Sequence, residues 1–297
     1  MPRTAPTSTR ATDPAESPRI AELARCLDCG AGLAGRASCP GCGRSYPESD
    51  GILGAIGPLA GRNRIAARFY DGPGWARFRP WERLFLRVQG GKGRARRQIL
   101  RHLHAPPLAR VLEVGIGDGE NVDQVPGDWT VYGVDIARAP LRDALRRRPG
   151  LAGRLALAEG EALPFADGTF DAAWSIGGFN YFRDHAAALR EMKRVTRPGG
   201  SVVVADEVPD LHRLGIGHLI GVPRLDAAWL RALGLDREFA DMVLGLDLDP
   251  AAVVESAWPG ASKHRIWGGL GYCFVHADTA PDPESAGQIS PPPGPTP

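Results

Sequence analysis

The feature that most constrains this chain is an alternation of short apolar runs with helical segments, which starts at Ala109. The five apolar runs are ARVLEVGIG, WTVYGVDIA, RLALAEG, FDAAWSIGG and SVVVADEV, and helical segments such as HAAALREMKRVTRPGG lie between them. Strands that alternate with helices at this spacing predict a parallel, doubly wound sheet. The later run KHRIWGGLGYCFVHA predicts a terminal hairpin of two more strands. The sequence therefore predicts an α/β protein with a mostly parallel, seven-stranded sheet.

The loop after the first run, VLEVGIGDGEN, combines an acidic residue, Glu113, with Gly115, Gly117 and Gly119. Glycines let the backbone turn sharply and approach a ligand without a clash at Cβ. Glu113 stands two residues before the first glycine, where an anion would repel a pyrophosphate but could accept a hydrogen bond from an ammonium group. The loop therefore indicates a nucleotide-like cofactor that carries an amino group.

A second acidic residue, Asp135, ends the run that contains GVDIA. Ligands of open α/β sheets sit beyond the carboxyl ends of the strands, so Asp135 is placed to accept hydrogen bonds from ribose hydroxyls. The alternative role is an N-cap for the helix that begins near Ala139.

Four motifs follow one another in a fixed order, namely LEVGIGDGEN, GVDIA, AEGEALPFADGTFDAAWS and LREMKRVTRPGGSVVVAD. Over roughly residues 65–210 the chain resembles the class I S-adenosylmethionine (SAM)-dependent methyltransferases. Within them it is similar to the type 11 branch that includes the ubiquinone and menaquinone C-methyltransferases. The resemblance implies a Rossmann-like fold, SAM as cofactor, and methyl transfer to a small molecule such as a quinone or a secondary metabolite.

The resemblance also implies roles for single residues. Glu113 would orient the amino end of SAM, Gly115 and Gly117 would line its methionine part, with Gly119 in the same loop, and Asp135 would hold the ribose. An aromatic residue at the position of Tyr70 often covers SAM in this family.

The adenine end of SAM involves the motif AEGEALPF. Glu159 stands where the family usually has Asp, and Gly160 where it usually has Ala. By resemblance, Glu159 would accept from the adenine amine and Ile136 would pack on the adenine face. Ser175 closes the fourth strand, and its backbone would lie near the methyl donor.

No catalytic acid–base pair stands out in the sequence. SAM is a sulfonium compound that brings its own driving force, so the protein mainly supplies proximity and orientation. The candidates near the mouth of the site are Tyr70, Asn180, Tyr181, His185 and, after the fifth strand, Asp206, and we expect each to be a wall or cap of the site. His185 is expected at a helix start.

A cysteine-rich stretch, CLDCGAGLAGRASCPGC, precedes the α/β region. Its two CxxC pairs, formed by Cys26, Cys29, Cys39 and Cys42, predict a tetrahedral zinc site. Four protein ligands leave no open position, so the metal would be structural. The alternative is four unrelated thiols.

The sequence around these cysteines has two relatives. CPGCGRSYPESDG is similar to the small zinc-binding activator proteins of methyltransferases. Bacterial ribosomal RNA guanine methyltransferases also place a zinc ribbon before a SAM domain. Their last ligand is usually His, whereas this chain has Cys42.

Composition divides the chain into four segments. We predict a disordered tail over 1–19, a zinc ribbon over 20–57, a methyltransferase domain over 62–278, and a disordered Pro-rich tail over 279–297. No apolar run is long enough to span a membrane, and the N-terminus lacks the apolar stretch of a secretory signal. Paired CxxC motifs fit a reducing compartment, so a cytoplasmic location is expected.

The positive charge is concentrated before the α/β region. Residues 62–110 carry +11, which leaves −9 for the rest of a chain whose formal charge is +2. Such a segment suggests an anionic partner, namely RNA, a phospholipid surface or an anionic substrate, or else a solvated helix face. Beside the small-molecule methyltransferase, two alternatives therefore stay open: a ribosomal RNA base methyltransferase, and a SAM-binding interaction module without catalysis.

Overall fold

The computed structural model describes residues 17–88, 91–209, 216–220, 222 and 224–277. Most of the two predicted disordered tails, 1–19 and 279–297, lies outside the described residues. The strands are β1 (Glu48–Ser49), β2 (Ile52–Gly54), β3 (Arg110–Val114), β4 (Thr130–Asp135), β5 (Leu155–Leu157), β6 (Phe170–Ile176), β7 (Thr196–Glu207), β8 (Ser262–Ile266) and β9 (Gly271–Ala277). The helices are α1 (Ile20–Leu23), α2 (Gly61–Asp71), α3 (Pro73–Val88), α4 (Lys92–Leu100), α5 (Arg138–Arg147), α6 (His185–Val195), α7 (Ile216–Leu219), α8 (Arg224–Ala232), α9 (Arg237–Leu244) and α10 (Pro250–Ala257).

Nine strands of the described residues form one sheet in the order β1-β2-β5-β4-β3-β6-β7-β9-β8. The predicted parallel strands β3 to β7 and the antiparallel hairpin of β8 and β9 are present. The predicted count of seven strands is wrong, because β1 and β2 extend the sheet at its edge. Asp50 and Gly51 have positive φ angles and turn the chain back, so that the buried Ile52 and Leu53 pair with β5.

The strand order reverses at β3, which pairs with β4 on one side and with β6 on the other. Four of its five residues are buried, including the acidic Glu113. Helices and apolar clusters cover both faces of this central part. Ligand sites of open α/β sheets form at such a reversal, beyond the carboxyl ends of the strands.

The basic stretch that precedes β3, residues 62–110, is largely helical, as expected, and contains most of α2 and all of α3 and α4. α2 packs on α9 through Phe69 and Phe239, whose ring centroids are 3.9 Å apart in a stacked arrangement. Both rings belong to an apolar cluster that also receives Trp75 and Phe78 of α3. Packing against this cluster therefore positions α3 over the sheet.

The cysteine segment, residues 20–57, packs on the same body. Its buried Leu33 and Tyr46 share an apolar cluster with Phe165 of the α/β region, and Arg25 donates its backbone N–H to the Pro164 carbonyl at 2.8 Å. Its division from residues 62–278 as a separate domain stays a prediction. None of the helices in the described part of the chain combines the length and apolar character that a membrane span requires.

Candidate functional site

A cavity lies at the carboxyl ends of β3, β4 and β6, below α3. It is lined by backbone of the glycine loop and by side chains from α2, α3, α4 and the ends of β4 and β7. The sequence-predicted residues that line it are Tyr70, Gly115, Gly117, Asp135, Ile136, Gly160 and Tyr181. The predicted residues that do not line it are Glu113, Gly119, Glu159, Ser175, Asn180, His185 and Asp206.

The glycine loop and Asp135 form one hydrogen-bonded unit on the cavity floor. Gly115 and Gly117 have φ angles of 76° and 55°, which other residues rarely adopt. Asp135 Oδ2 accepts from the Gly117 N–H at 2.8 Å, and Oδ1 accepts from the Ala137 N–H at 2.9 Å. Burial raises the pKa of the Asp135 carboxyl to about 6. The N-cap of α5 is Ala137, so Asp135 is not its N-cap: it holds the loop before α5 and also lines the cavity.

Glu113 lies behind the cavity surface rather than on it. Its carboxylate is fully buried and accepts from Asn121 Nδ2, while Asn121 Oδ1 accepts from Arg96 Nε. Burial raises the pKa of the Glu113 carboxyl to about 8, although Asn121 and Trp174 oppose that shift. Asn121 and Arg96 both line the cavity, so Glu113 acts on the cavity through Asn121.

At the adenine end predicted for SAM, the backbone and not the acidic side chain reaches the cavity. Glu159 Oε2 accepts from Asn63 Nδ2 at 2.8 Å and points away from the cavity lining. Gly160 does line the cavity, and a Cβ there would lie 3.0 Å from Val114 Cγ1. Ser175 is fully buried.

The residues near the mouth divide into a layer on the cavity and a layer behind it. Tyr181 lines the cavity, and its hydroxyl donates to Glu207 Oε1 at 3.0 Å. Asn180 is buried behind it and donates from Nδ2 to the Glu207 carbonyl at 2.8 Å. His185 opens α6 as expected, with Asp184 as the N-cap, and its Nε2 lies 3.4 Å from the Asn180 carbonyl oxygen.

Two tyrosines and one carboxylate therefore face the cavity at this end. Burial and the nearby Glu207 raise the pKa of both Tyr70 and Tyr181 well above the ordinary value. Both hydroxyls consequently stay protonated at neutral pH and can donate hydrogen bonds. Glu207 was not identified from the sequence, although it directly follows Asp206 at the end of the fifth predicted strand.

The cationic side chains on the cavity were also missed. Arg79 of α3 contacts Asp118 of the glycine loop and lies 3.5 Å from Glu120, and Arg96 of α4 lies 3.2 Å from Glu120. All four residues line the cavity. The +11 charge of residues 62–110 was the available signal, and these ion pairs show that part of it is neutralised inside the molecule.

The four cysteines form a compact cluster that lies outside the cavity lining. All four Sγ atoms lie within 4.8 Å of one another, with 3.4 Å between those of Cys26 and Cys42 and between those of Cys29 and Cys39. Each CxxC turn closes with a backbone hydrogen bond from a glycine with positive φ, Gly30 or Gly43, to the first cysteine of its pair. A tetrahedral zinc with Zn–S bonds of about 2.3 Å separates its sulfur atoms by about 3.8 Å. The cluster therefore fits such an ion with small adjustments.

The segment that contains the glycine loop is similar to known proteins. Residues 112–204 match the family described as methyltransferase domain. A demethylmenaquinone methyltransferase from Beutenbergia cavernae is 39% identical over 112 residues, which cover 37% of this chain and 46% of the relative. One from Roseiflexus castenholzii is 35% identical over 141 residues, which cover 46% and 59%. Methyltransferase GfsG from Streptomyces halstedii is 36% identical over 123 residues, which cover 37% and 42%.

The chain thus spans about half the length of the curated relatives it matches. A solved SAM-dependent methyltransferase from Aquifex aeolicus aligns with 73% of this chain and 97% of its own, at 18% identity and a TM-score of 0.39. The sequence matches agree with the expected SAM-dependent methyltransferase domain in the central part of the chain.

Proposed function

We propose that this protein transfers a methyl group from SAM to a small, apolar acceptor of the quinone or secondary-metabolite type. The observation that carries the proposal is the unit of Gly115, Gly117 and Asp135 on the floor of the cavity. It lies at the reversal of strand order and inside the segment that matches the methyltransferase domain.

The residues on the cavity fit the chemical groups of SAM. Asp135 offers a carboxylate to the ribose hydroxyls, and Ile136 beside Gly160 offers an apolar wall to the adenine. Arg96 offers a guanidinium to the methionine carboxylate, and Glu120 offers a carboxylate to the ammonium group. When bound, SAM supplies an electrophilic methyl group on its sulfonium.

The remaining cavity wall suits an aromatic acceptor. Trp75 and Phe78 of α3 and Trp267 between β8 and β9 supply large apolar surfaces. The relatives named as demethylmenaquinone methyltransferases support an acceptor with an aromatic ring. If the acceptor loses a proton during transfer, the Glu207 carboxylate, hydrogen-bonded to Tyr181, is in position to take it.

We also infer that Cys26, Cys29, Cys39 and Cys42 hold a structural zinc ion. The supporting observation is the mutual distance of their Sγ atoms. Four thiolates complete the coordination of zinc, so the ion would have no place for a substrate. Its part would be to hold residues 20–57 in place beside β5, with which β2 pairs.

The experiment uses SAM labelled in its methyl group and a panel of reduced naphthoquinols and hydroquinones. We expect label transfer to at least one acceptor with stoichiometric formation of S-adenosylhomocysteine, and loss of both products in Asp135→Ala. A protein that binds SAM but methylates nothing in the panel or in a metabolite extract would support the interaction module instead. Label transfer to ribosomal RNA, weakened steeply by salt, would support the RNA alternative.

A further inference from the structure

α3 and the residues between 219 and 229 expose a set of large apolar side chains. Eight large hydrophobic residues are exposed among the described residues, and seven of them lie on α3 or between residues 219 and 229. These seven, called the apolar face below, are Trp81 (45% exposed), Leu84 (52%), Leu219 (70%), Ile220 (59%), Val222 (43%), Leu225 (48%) and Trp229 (61%). Single exposed apolar residues are normal, but such a concentration marks an interaction site.

The apolar face is not left over from core packing, because the same helices have a separate inner side. α3 directs Trp75 and Phe78 to the cavity, and α8 contributes Leu230 to the apolar cluster around Phe69. Trp81 and Trp229 lie outside both the cavity lining and this cluster. α3 and α8 therefore each have one buried side and one exposed apolar side.

The two parts of the apolar face are linked through the turn that follows α8. Gly234, just after α8, approaches α3 so closely that a Cβ there would lie 2.6 Å from Arg77 Cβ and 3.1 Å from the Phe78 backbone nitrogen. Leu230 of α8 and Phe78 of α3 also pack on one cluster. The turn after α8 thus lies against α3, and both helices pack on the cluster around Phe69.

Exposed arginines accompany the apolar residues on both helices. On α3 they are Arg77, Arg83 and Arg87, and on α8 they are Arg224 and Arg231. Helices that lie in the plane of a membrane surface combine Trp and Leu on one side with Lys or Arg beside them. The arginines contact anionic headgroups while the apolar side chains enter the boundary of the acyl chains.

We propose that the apolar face and its arginines bind the surface of an anionic phospholipid bilayer. The charge complementarity of the five arginines with anionic headgroups favours this partner, and the aliphatic side chains of Leu219, Ile220 and Leu225 favour a bilayer over RNA. RNA is bound by stacking on aromatic rings and by phosphate contacts, in which exposed aliphatic groups have no part. Binding would be peripheral and does not depend on methyl transfer.

The test is co-sedimentation of the full-length protein with vesicles of phosphatidylglycerol or of phosphatidylcholine. We expect binding to phosphatidylglycerol vesicles that weakens as salt rises, and weaker binding to phosphatidylcholine. The double variant Leu225→Ser/Trp229→Ser should lose at least about tenfold in vesicle affinity. Arg83→Glu/Arg87→Glu should lose affinity for phosphatidylglycerol specifically.

The matched control is Leu108→Ser, which removes the eighth exposed apolar residue. Leu108 precedes β3 and so lies at the amino ends of the strands, opposite the cavity, and its variant should bind vesicles as the wild type does. Circular dichroism and SAM titration verify that each variant is folded.

The proposal is overturned if the wild type does not bind phosphatidylglycerol vesicles or if the double variant binds them equally. It is also overturned if light scattering shows self-association that the double variant abolishes, since the face would then join two copies of the chain. Intact SAM binding in any of these cases would leave the proposed methyl transfer unaffected.

Discussion

The cavity floor and the cysteine segment are both built from short glycine-containing motifs, but different forces hold them in shape. The floor rests on β3 and β4, whose residues are mostly buried in a large apolar core. The CxxC turns of the cysteine segment belong to no strand of the sheet and expose Cys29 and Cys42. The floor is therefore preformed by packing. Cys26 and Cys39 are buried in the same core, but Cys29 and Cys42 are exposed, so we expect the cysteine turns to depend also on a metal ion that joins the four sulfur atoms.

This difference has a consequence for ligands. A preformed site loses little conformational freedom on binding, so its ligand adds affinity without having to fold the protein. A structural metal contributes its binding free energy to folding itself. Removal of a structural metal should thus lower the stability of the protein. A change in the cavity should lower its affinity for SAM.

The largest effect is expected for Cys39→Ser, which removes a buried cysteine of the proposed metal site. Structural zinc contributes on the order of 10 kcal/mol to the folding of small zinc domains, so the variant should lose its bound metal and unfold residues 20–57 at a lower temperature. Elemental analysis and calorimetry measure the two changes. Cys273→Ser, in buried β9, is the control and should keep the metal. Equal metal contents in the wild type and Cys39→Ser would contradict a site formed by all four cysteines.

A smaller effect on stability is expected for Glu113→Gln, and it should depend on pH. The folded pKa of Glu113, about 8, is higher than that of an unfolded glutamate, about 4.3. The wild type therefore loses stability from this group as the pH rises from about 4.3 to 8, by about 1.4 kcal/mol per pH unit. Glutamine does not titrate, so the variant does not lose this stability. The free energy of unfolding of the variant, relative to that of the wild type, should therefore rise as the pH increases over this range. Urea unfolding at several pH values measures the difference, and parallel pH curves would contradict the account.

The next effect concerns cofactor binding. Arg96→Gln removes the guanidinium that lines the cavity and should weaken SAM binding by about 10- to 100-fold, the usual worth of a hydrogen bond to a charged group. Arg94→Gln is the matched control, because Arg94 is on the same helix but exposed. Equal affinities of the two variants for SAM would show that Arg96 does not contribute to cofactor binding.

The smallest effect is expected for Tyr70→Phe. The ring of Tyr70 packs edge-on against Phe69 and Trp75, at centroid distances of 5.2 and 5.1 Å, and the variant keeps that packing. SAM affinity should change by less than about threefold, since a covering role needs the ring and not the hydroxyl. A loss of tenfold or more in fluorescence titration would assign a direct role to the hydroxyl.

The parts of this molecule that could be predicted from its sequence depend on local patterns. The alternation of apolar runs with helical segments predicted β3 to β9, and the glycine spacing predicted the glycine loop. The position of Asp135 at a strand end predicted that it lines the cavity. The cysteine spacing likewise predicted a cluster that the structure brings together.

The parts that could not be predicted depend on contacts between residues far apart in the chain. Asn63 donates a hydrogen bond to Glu159, which is 96 positions away in the sequence, and Arg79 forms an ion pair with Asp118, which is 39 positions away. The pairing of β2 with β5 likewise joins segments about a hundred residues apart. No local pattern specifies such partners, because they follow from how helices and strands pack.

The central claim is that the cavity beyond β3 and β4 binds SAM through Asp135. Isothermal titration of SAM at pH 7.5 into the wild type, Asp135→Ala and Asp167→Ala tests it most directly. Asp167 is exposed and pairs with Arg194 away from the cavity lining, so it controls for removal of a carboxylate within the same domain. We predict one SAM per chain for the wild type and Asp167→Ala, and an affinity at least about 10-fold weaker for Asp135→Ala. No SAM binding by the folded wild type, or equal affinity in all three proteins, would contradict the account.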